Sequence, residues 1–269
     1  MFWFIFISSI YLTILVLVSV FRQKAGPPQR RVALLIGNAA YMWEGPLNNP
    51  TNDAADMSDT LKRLGFDVVE SHDLGVAQMR SVLEDFERKA RAADWALVYY
   101  AGHGVESNGE SWLIPIDAGL TQRAELPGQA VSVQRVLEHL SGVRKLRIVI
   151  FDACRNCSLR PRLMMNQGFV RANAHGLPLM KTALGEIVFF AAGHDRMAFD
   201  GKPGERNSPF AKALLKYMSE EGLELGRFFR RVTSHVLDAT KNEPKPQEPF
   251  VYGHIPDEDF YFKAPRRSR

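Results

Sequence analysis

The segment LRIVIFDACRNC (residues 146–157) holds both cysteines of the chain, Cys154 and Cys157, directly after a run of apolar residues. Three other runs are of the same kind: RVALLIG (31–37), WALVYYAG (95–102) and EIVFFAAG (186–193). Residues that are apolar at consecutive positions suit strands buried on both faces, as in a parallel sheet. The four runs therefore predict a mostly parallel β-sheet.

Helical patterns separate these runs. Met57, Leu61 and Leu64 recur at i, i+4 and i+7, and Gly65 follows them as a stop signal. Later segments carry an apolar face of the same type, and they start at Val76, Val133, Phe210 and Phe228. Because strands alternate with helices, the sequence predicts an α/β fold with helices on both faces of the sheet.

The length and charge of the chain limit its function. A chain of 269 residues suits one large α/β domain or two small ones. The net charge is only +4, and the basic residues form no stripe with interleaved aromatics, so we predict no nucleic-acid partner. Two cysteines cannot make a disulfide framework. The last residues, 263–269, form a short basic tail.

The N-terminal stretch MFWFIFISSIYLTILVLVSVF (residues 1–21) contains no charged side chain. About 20 apolar residues cross a bilayer as a helix. A signal peptide would start with basic residues and end at small ones, so an uncleaved single-pass anchor is favoured. Residues 22–30 read as a linker, and the basic residues that follow the anchor are Arg22, Lys24, Arg30 and Arg31. The positive-inside rule then predicts a cytoplasmic domain, with a secreted or periplasmic one as the alternative.

Two predicted strand ends carry reactive side chains. His103 lies between Gly102 and Gly104, and Cys154 ends the run that opens at residue 146. The carboxyl ends of parallel strands meet at one edge of a sheet, so both side chains should emerge together. An imidazole can take the thiol proton or stabilise the thiolate. The sequence therefore predicts a catalytic dyad of His103 and Cys154.

Neighbouring residues complete the predicted site. We expect Gly102 and Gly104 to let the backbone turn sharply and approach a substrate. The N–H groups of Gly104 and Cys154 could then face a developing oxyanion. Asp152 lies two residues before Cys154, so both side chains point to the same side of an extended strand. Asp152 is thus either a pocket acid that binds a basic side chain or a structural acid that caps nearby N–H groups.

Other interpretations of the cysteines are weaker. Cys154 alone could be a small buried hydrophobe at a strand end. Cys154 and Cys157 form a C-x-x-C pair, but the pair lies late in the chain and outside a thioredoxin-like context, so a redox function is less favoured. A zinc site needs about four ligands, and His103 with two cysteines is one short, so we predict no metal.

At these residues the sequence resembles the caspase-like cysteine peptidases, the superfamily of caspases, metacaspases and paracaspases. Cys154 follows His103 by 51 residues, and DACRN (152–156) stands where caspases have Gln-Ala-Cys-Arg-Gly. Three more segments resemble family elements, namely RVALLIGNAAY, NPTNDAADMSDTLKRLGFDV and, in bacterial metacaspase-like members, NSPFAKALL. The resemblance implies a three-layer caspase-like sandwich over residues 31–262 that hydrolyses peptide bonds.

The sequence departs from animal caspases, which bind aspartate through arginines. The segment GPLNNPTNDAAD (45–56) has no Arg or Lys, and Asp152 replaces the caspase glutamine, as in metacaspase-like members. The resemblance therefore implies protein or peptide substrates that are cleaved after Arg or Lys. It also implies a second pocket acid, either Asp195 or Asp200. It implies no cofactor, and calcium activation is an open alternative.

Two further expectations concern activity. A caspase-like binding module without turnover at the membrane is the rival class, and the presence of both His103 and Cys154 disfavours it. The segment from Ser158 to Thr182 has weak periodicity and several basic residues, so we predict an exposed loop. Exposed loops are where proteolytic nicking concentrates, and this one is a candidate for self-cleavage or is simply a solvated basic loop.

Overall fold

The computed structural model describes residues 29–154, 182–193, 197–202 and 204–266. Within them, six strands form one sheet in the order β2-β1-β3-β6-β7-β8. All neighbours are parallel except β8, which is antiparallel to β7. The strands are β1 (Arg31–Gly37), β2 (Asp67–His72), β3 (Trp95–Ser107), β6 (Leu146–Cys154), β7 (Glu186–Phe190) and β8 (Phe250–Gly253).

A small antiparallel extension stands beside the end of β3. The strand β4 (Glu110–Leu113) pairs with the last residues of β3, and β5 (Val131–Ser132) pairs with β4. A 3₁₀ turn (Arg123–Glu125) and the short helix α3 (Leu126–Gln129) connect β4 to β5. This extension carries its own buried cluster, which includes Tyr41 and Val105.

Helices cover both faces of the sheet, as the sequence predicts. One face packs against α1 (Pro50–Arg63), α5 (Pro209–Met218) and α6 (Leu225–Ala239), and the other against α2 (Val76–Ala90) and α4 (Val133–His139). Successive strand residues point to opposite faces, so Leu35 joins the first core and Leu34 the second. The consecutive apolar runs are therefore explained by burial on both sides.

Two strands of the six-stranded sheet, β2 and β8, were not predicted from apolar runs. The strand β2 is only half-buried along most of its length, and β8 is an edge strand whose residues are half-buried or exposed. Strands with one partner and one covered face need fewer apolar residues, so their pattern is weak in the sequence. The segment that resembles the family's first helix and second strand contains the start of β2, whereas β8 had no counterpart in the sequence analysis; β2 pairs with β1, and β8 pairs with β7.

The predicted ends of the chain are largely outside this description. No helix in the described ranges is both long and apolar enough to cross a bilayer. The predicted anchor (residues 1–21), most of the linker and the last three residues of the tail lie outside the described residues. The same holds for Cys157, Asp195 and all of the predicted loop except Thr182.

Candidate active site

The site lies at the carboxyl edge of the parallel sheet. In the register of β3 and β6, His103 is the partner of Cys154, and the pair Ala101 and Asp152 lies two residues before it. Neighbouring strands are about 4.8 Å apart, so the backbones of His103 and Cys154 are adjacent. The topology thus brings together two residues that are 51 positions apart in sequence.

The expectation that the backbone turns sharply at His103 is wrong. The strand β3 continues through His103 to Ser107. Its parallel pairing with β6 ends at His103, and its antiparallel pairing with β4 begins at Gly104. The glycines are needed for packing instead. A Cβ at Gly102 would collide with the hydroxyls of Tyr41 and Tyr100, and one at Gly104 would lie 2.5 Å from the Phe151 ring.

Two tyrosines hold the backbone at His103. The N–H of His103 donates a 2.6 Å hydrogen bond to Tyr41 Oη, and the Tyr100 hydroxyl lies 2.7 Å from the His103 carbonyl oxygen. The rings of Tyr41 and His103 are 4.3 Å apart between centroids. Because Tyr41 and Tyr100 are both buried, they fix the position from which the imidazole extends.

A backbone carbonyl determines which nitrogen of the neutral His103 imidazole carries the proton. Nε2 of His103 lies 3.2 Å from the Gly45 carbonyl oxygen, which can only accept a hydrogen bond. The neutral ring must therefore carry its proton on Nε2, and Nδ1 is left as the basic nitrogen. Burial lowers the pKa of His103, which favours this neutral form at neutral pH. The imidazole is thus suited to accept a proton from a neighbouring acid such as a thiol.

The N–H of Gly104 is directed away from β4. Ile114 N–H donates to the His103 carbonyl at 3.1 Å, and Gly104 is the antiparallel partner of Leu113. In this pattern Gly104 and Leu113 form a pair that exchanges no hydrogen bonds. The Gly104 N–H therefore points toward the side on which β6 and Cys154 lie, as an oxyanion donor should.

Three carboxyl groups line one pocket next to His103. The pocket has a volume of about 210 Å³, and its walls include Asp53, Asp152 and Asp200. Asp152 is buried and accepts hydrogen bonds from Tyr99 Oη and Ser208 Oγ, both at 2.9 Å. The described residues of the wall include no Lys or Arg. The arrangement is therefore suited to a cation.

The other two acids come from different segments of the chain, Asp53 from α1 and Asp200 from the segment before α5. Asp53, on the first turn of α1, is 1% exposed and accepts the Ser208 N–H at 3.2 Å. Asp200 accepts the N–H groups of Asn48 (2.7 Å) and Asn49 (3.2 Å). Ser208 also caps the N-terminus of α5, since its Oγ accepts the Ala211 N–H. One serine thus connects α5 to two of the three acids.

Burial changes the protonation of these acids. Burial, together with the negative charge of Asp152, raises the pKa of Asp53 to about 8. Burial likewise raises the pKa of Asp152 to about 7, against the hydrogen bonds from Tyr99 and Ser208. Burial also raises the pKa of Asp200. Carboxyls without a cationic partner hold protons near neutral pH, and a guanidinium or ammonium group would replace those protons.

The predicted site residues can now be placed. His103, Asp152 and Asp200 line one pocket, Gly104 follows His103 in β3, and the backbone of Cys154 lies beside His103. Asp195, the other candidate for the second acid, lies outside the described residues. Sequence reasoning missed Asp53. Its signal was an acid at the start of a helix in a segment already noted for its lack of arginine.

Comparison with known proteins agrees with this geometry. The Caspase domain family matches residues 30–261 of the chain. The chain belongs to the caspase-domain family. This result confirms the resemblance found in the sequence, and it supports a function of the cysteine-peptidase kind.

Individual relatives of this caspase-domain chain include two mammalian proteins. The mucosa-associated lymphoid tissue lymphoma translocation protein 1 homolog of Mus musculus is 34% identical over 138 residues, which are 50% of this chain and 16% of that protein. The mucosa-associated lymphoid tissue lymphoma translocation protein 1 of Homo sapiens is 34% identical over 126 residues, which are 46% of this chain and 15% of that protein. The chain therefore spans about one sixth of the length of these relatives.

A solved structure shares the fold. Caspase-1 from Spodoptera frugiperda superposes with a TM-score of 0.63 at 16% identity, over 90% of this chain and 92% of that one. At this identity the likeness shows the fold alone. It confirms the caspase-like arrangement of the sheet and its two helical layers.

A prediction about stability follows from the raised carboxyl pKa values. The folded state binds more protons than the unfolded state between pH about 4 and 8, so stability should fall as pH rises through this window. Between pH 5 and pH 8, the melting temperature of the variant Asp53→Asn should therefore fall less than that of the wild type. Differential scanning calorimetry at both pH values measures this difference.

The control for that measurement is Asp59→Asn, because Asp59 is an exposed acid on the same helix. Its melting temperature should fall between the two pH values by the same amount as that of the wild type. Equal losses in Asp53→Asn and the wild type would contradict the assignment of a buried, protonated Asp53.

Proposed function

We propose that this chain is a cysteine endopeptidase that cleaves peptide bonds after Arg or Lys. The observation that carries the proposal is the position of three carboxyl groups, those of Asp53, Asp152 and Asp200, in one pocket beside His103 and the end of β6. A basic side chain in this pocket would bring the following carbonyl carbon to the sheet edge where Cys154 ends its strand.

The chemistry uses side chains and backbone groups of the chain itself. His103 Nδ1 takes the thiol proton of Cys154, and the sulfur attacks the carbonyl carbon to form a tetrahedral intermediate. The N–H groups of Gly104 and Cys154 stabilise the oxyanion. The imidazolium then gives its proton to the leaving amine, and water hydrolyses the thioester. We propose that no cofactor takes part in these steps.

The pocket explains selection for a cation rather than an acid. An aspartate side chain would meet three carboxyl groups, and repulsion and desolvation would both oppose its binding. An arginine or lysine side chain would replace the protons held by Asp53 and Asp152 and form charge-assisted hydrogen bonds. Citrulline has the shape of arginine without its charge, so it separates the contribution of charge from that of size.

The test is hydrolysis of fluorogenic peptides that differ only in the residue before the cleaved bond. We expect the wild type to cleave after Arg and Lys, at least about 100-fold more slowly after citrulline, and not after Asp. Cys154→Ala is the control for contaminating activity. A preference for Asp or for citrulline would overturn the proposed specificity, and equal activity in the Cys154→Ala preparation would overturn the proposed enzyme.

We also propose self-cleavage in the segment from Ser158 to Thr182, which lies between β6 and β7. Its basic residues are side chains that the acidic pocket could accept: Arg160, Arg162, Arg171 and Lys181. Intact-mass analysis should find fragments ending at one of them in the wild type and a single chain in Cys154→Ala. A wild type that stays uncut while hydrolysing peptides would contradict a requirement for processing.

A last proposal concerns location. The uncharged residues 1–21 and the basic residues after them support a single-pass anchor with the peptidase domain in the cytoplasm. The chain should then pellet with membranes, and protease added to intact cells or spheroplasts should leave the domain uncut. Digestion by external protease would instead show the domain on the outer side.

A further inference from the structure

The described residues include five exposed large hydrophobic side chains. Three of them belong to the acidic pocket or to the loop that contacts His103, and this grouping requires a physical reason. Met197 lines the acidic pocket together with His103. Met42 and Trp43 are 67% and 64% exposed, and they precede Gly45, whose carbonyl contacts the imidazole. The remaining two, Leu184 and Ile255, lie at the opposite, amino end of β7.

The loop between β1 and α1 passes His103 at Gly45. The residues after Gly45 belong to the acidic pocket, since Leu47, Pro50 and Asp53 line it. The residues before Gly45 lie on the side of the small antiparallel extension. Met42 N–H donates to the Ile116 carbonyl at 2.9 Å, and the Trp43 indole lies so close to Gly119 that a Cβ there would be 3.4 Å from Nε1.

The loop therefore runs from Met42 and Trp43, past His103 at Gly45, to the acidic pocket. In the proposed reaction the residue before the cleaved bond occupies the pocket, and His103 gives a proton to the amine that leaves. The part of the substrate after the bond must then extend past the imidazole on the side away from the pocket. Met42 and Trp43, which precede Gly45 in the loop, are the exposed large apolar residues available to that part of the substrate.

We propose that Trp43 and Met42 form a subsite for an apolar side chain immediately after the cleaved bond. This inference rests on the proposed peptidase function. Tryptophan and methionine suit such a contact, because an indole provides a large rigid surface and a thioether adapts its shape to different apolar groups. The Trp43 indole is held against Gly119, so little order is lost when a substrate side chain packs on it.

The experiment uses internally quenched peptides that are identical up to an arginine and carry either leucine or glycine after it. We expect the wild type to have a kcat/KM about tenfold higher for the leucine peptide. In Trp43→Ala the ratio of kcat/KM for the leucine peptide to kcat/KM for the glycine peptide should be close to one. In Trp43→Phe most of the wild-type preference for leucine should remain. The ratio is the readout because it does not depend on the total activity of a preparation.

Leu184→Ala is the matched control, since Leu184 is 70% exposed and lies at the other end of the sheet. It should retain the wild-type ratio. A wild type without preference for leucine, or a preference that survives in Trp43→Ala combined with Met42→Ala, would overturn the subsite while leaving the peptidase assignment intact. Hydrolysis of neither peptide by the wild type would overturn both.

Discussion

Cys154→Ala and His103→Ala should each lower kcat/KM for an arginine peptide by about 10⁴-fold or more. Without the thiol there is no atom to form the acyl-enzyme, and without the imidazole the thiol of an ordinary cysteine is only a few per cent ionised at neutral pH. Fluorogenic peptide hydrolysis at pH 7 measures the loss. Circular dichroism should show folded protein in both variants, because His103 is only half-buried and Cys154 is the last residue of β6.

Cys157→Ala is the matched control for the nucleophile. It replaces the second thiol of the C-x-x-C pair, and a peptidase that uses Cys154 alone should keep its activity. Loss of activity in Cys157→Ala comparable to that in Cys154→Ala would favour the redox interpretation instead. Hydrolysis that persists in a pure Cys154→Ala preparation would remove Cys154 from the mechanism.

Asp53→Asn and Asp152→Asn should each lower kcat/KM for the arginine peptide by about 10² to 10³-fold. Truncating one partner of a buried charge-assisted pair costs 2 to 5 kcal/mol or more, which corresponds to losses of about this size. Asparagine keeps an oxygen that can accept the bonds from Ser208, so the fold should survive. Kinetics on the arginine and citrulline peptides measure the effect, and the citrulline rates should change far less.

Asp59→Asn again serves as the control, because it removes one negative charge from α1 without touching the pocket. It should leave the discrimination between arginine and citrulline unchanged. Equal losses on the two peptides in Asp53→Asn and Asp152→Asn would show that these acids support the fold of the site rather than bind a cation.

The residues on which both predictions depend were not all predictable from the sequence. Cys154, His103 and Asp152 stand at the ends of apolar runs, and a parallel sheet always collects such ends at one edge. Asp200 was one of two candidates, and its contacts with Asn48 and Asn49 give it a place in the pocket. Asp53 lies 99 residues before Asp152, on a helix whose periodicity says only which face is buried.

The sequence by itself determined the central strands and the alternation with helices, since these depend on local patterns of apolar residues. Its resemblance to the caspase-like peptidases was confirmed by the family match over residues 30–261. Only the tertiary structure decided that Asp53 joins Asp152 through Ser208, and that Gly102 and Gly104 serve packing instead of a turn. These contacts join residues from separate elements, and no local periodicity encodes how α1, α5 and the sheet pack against one another.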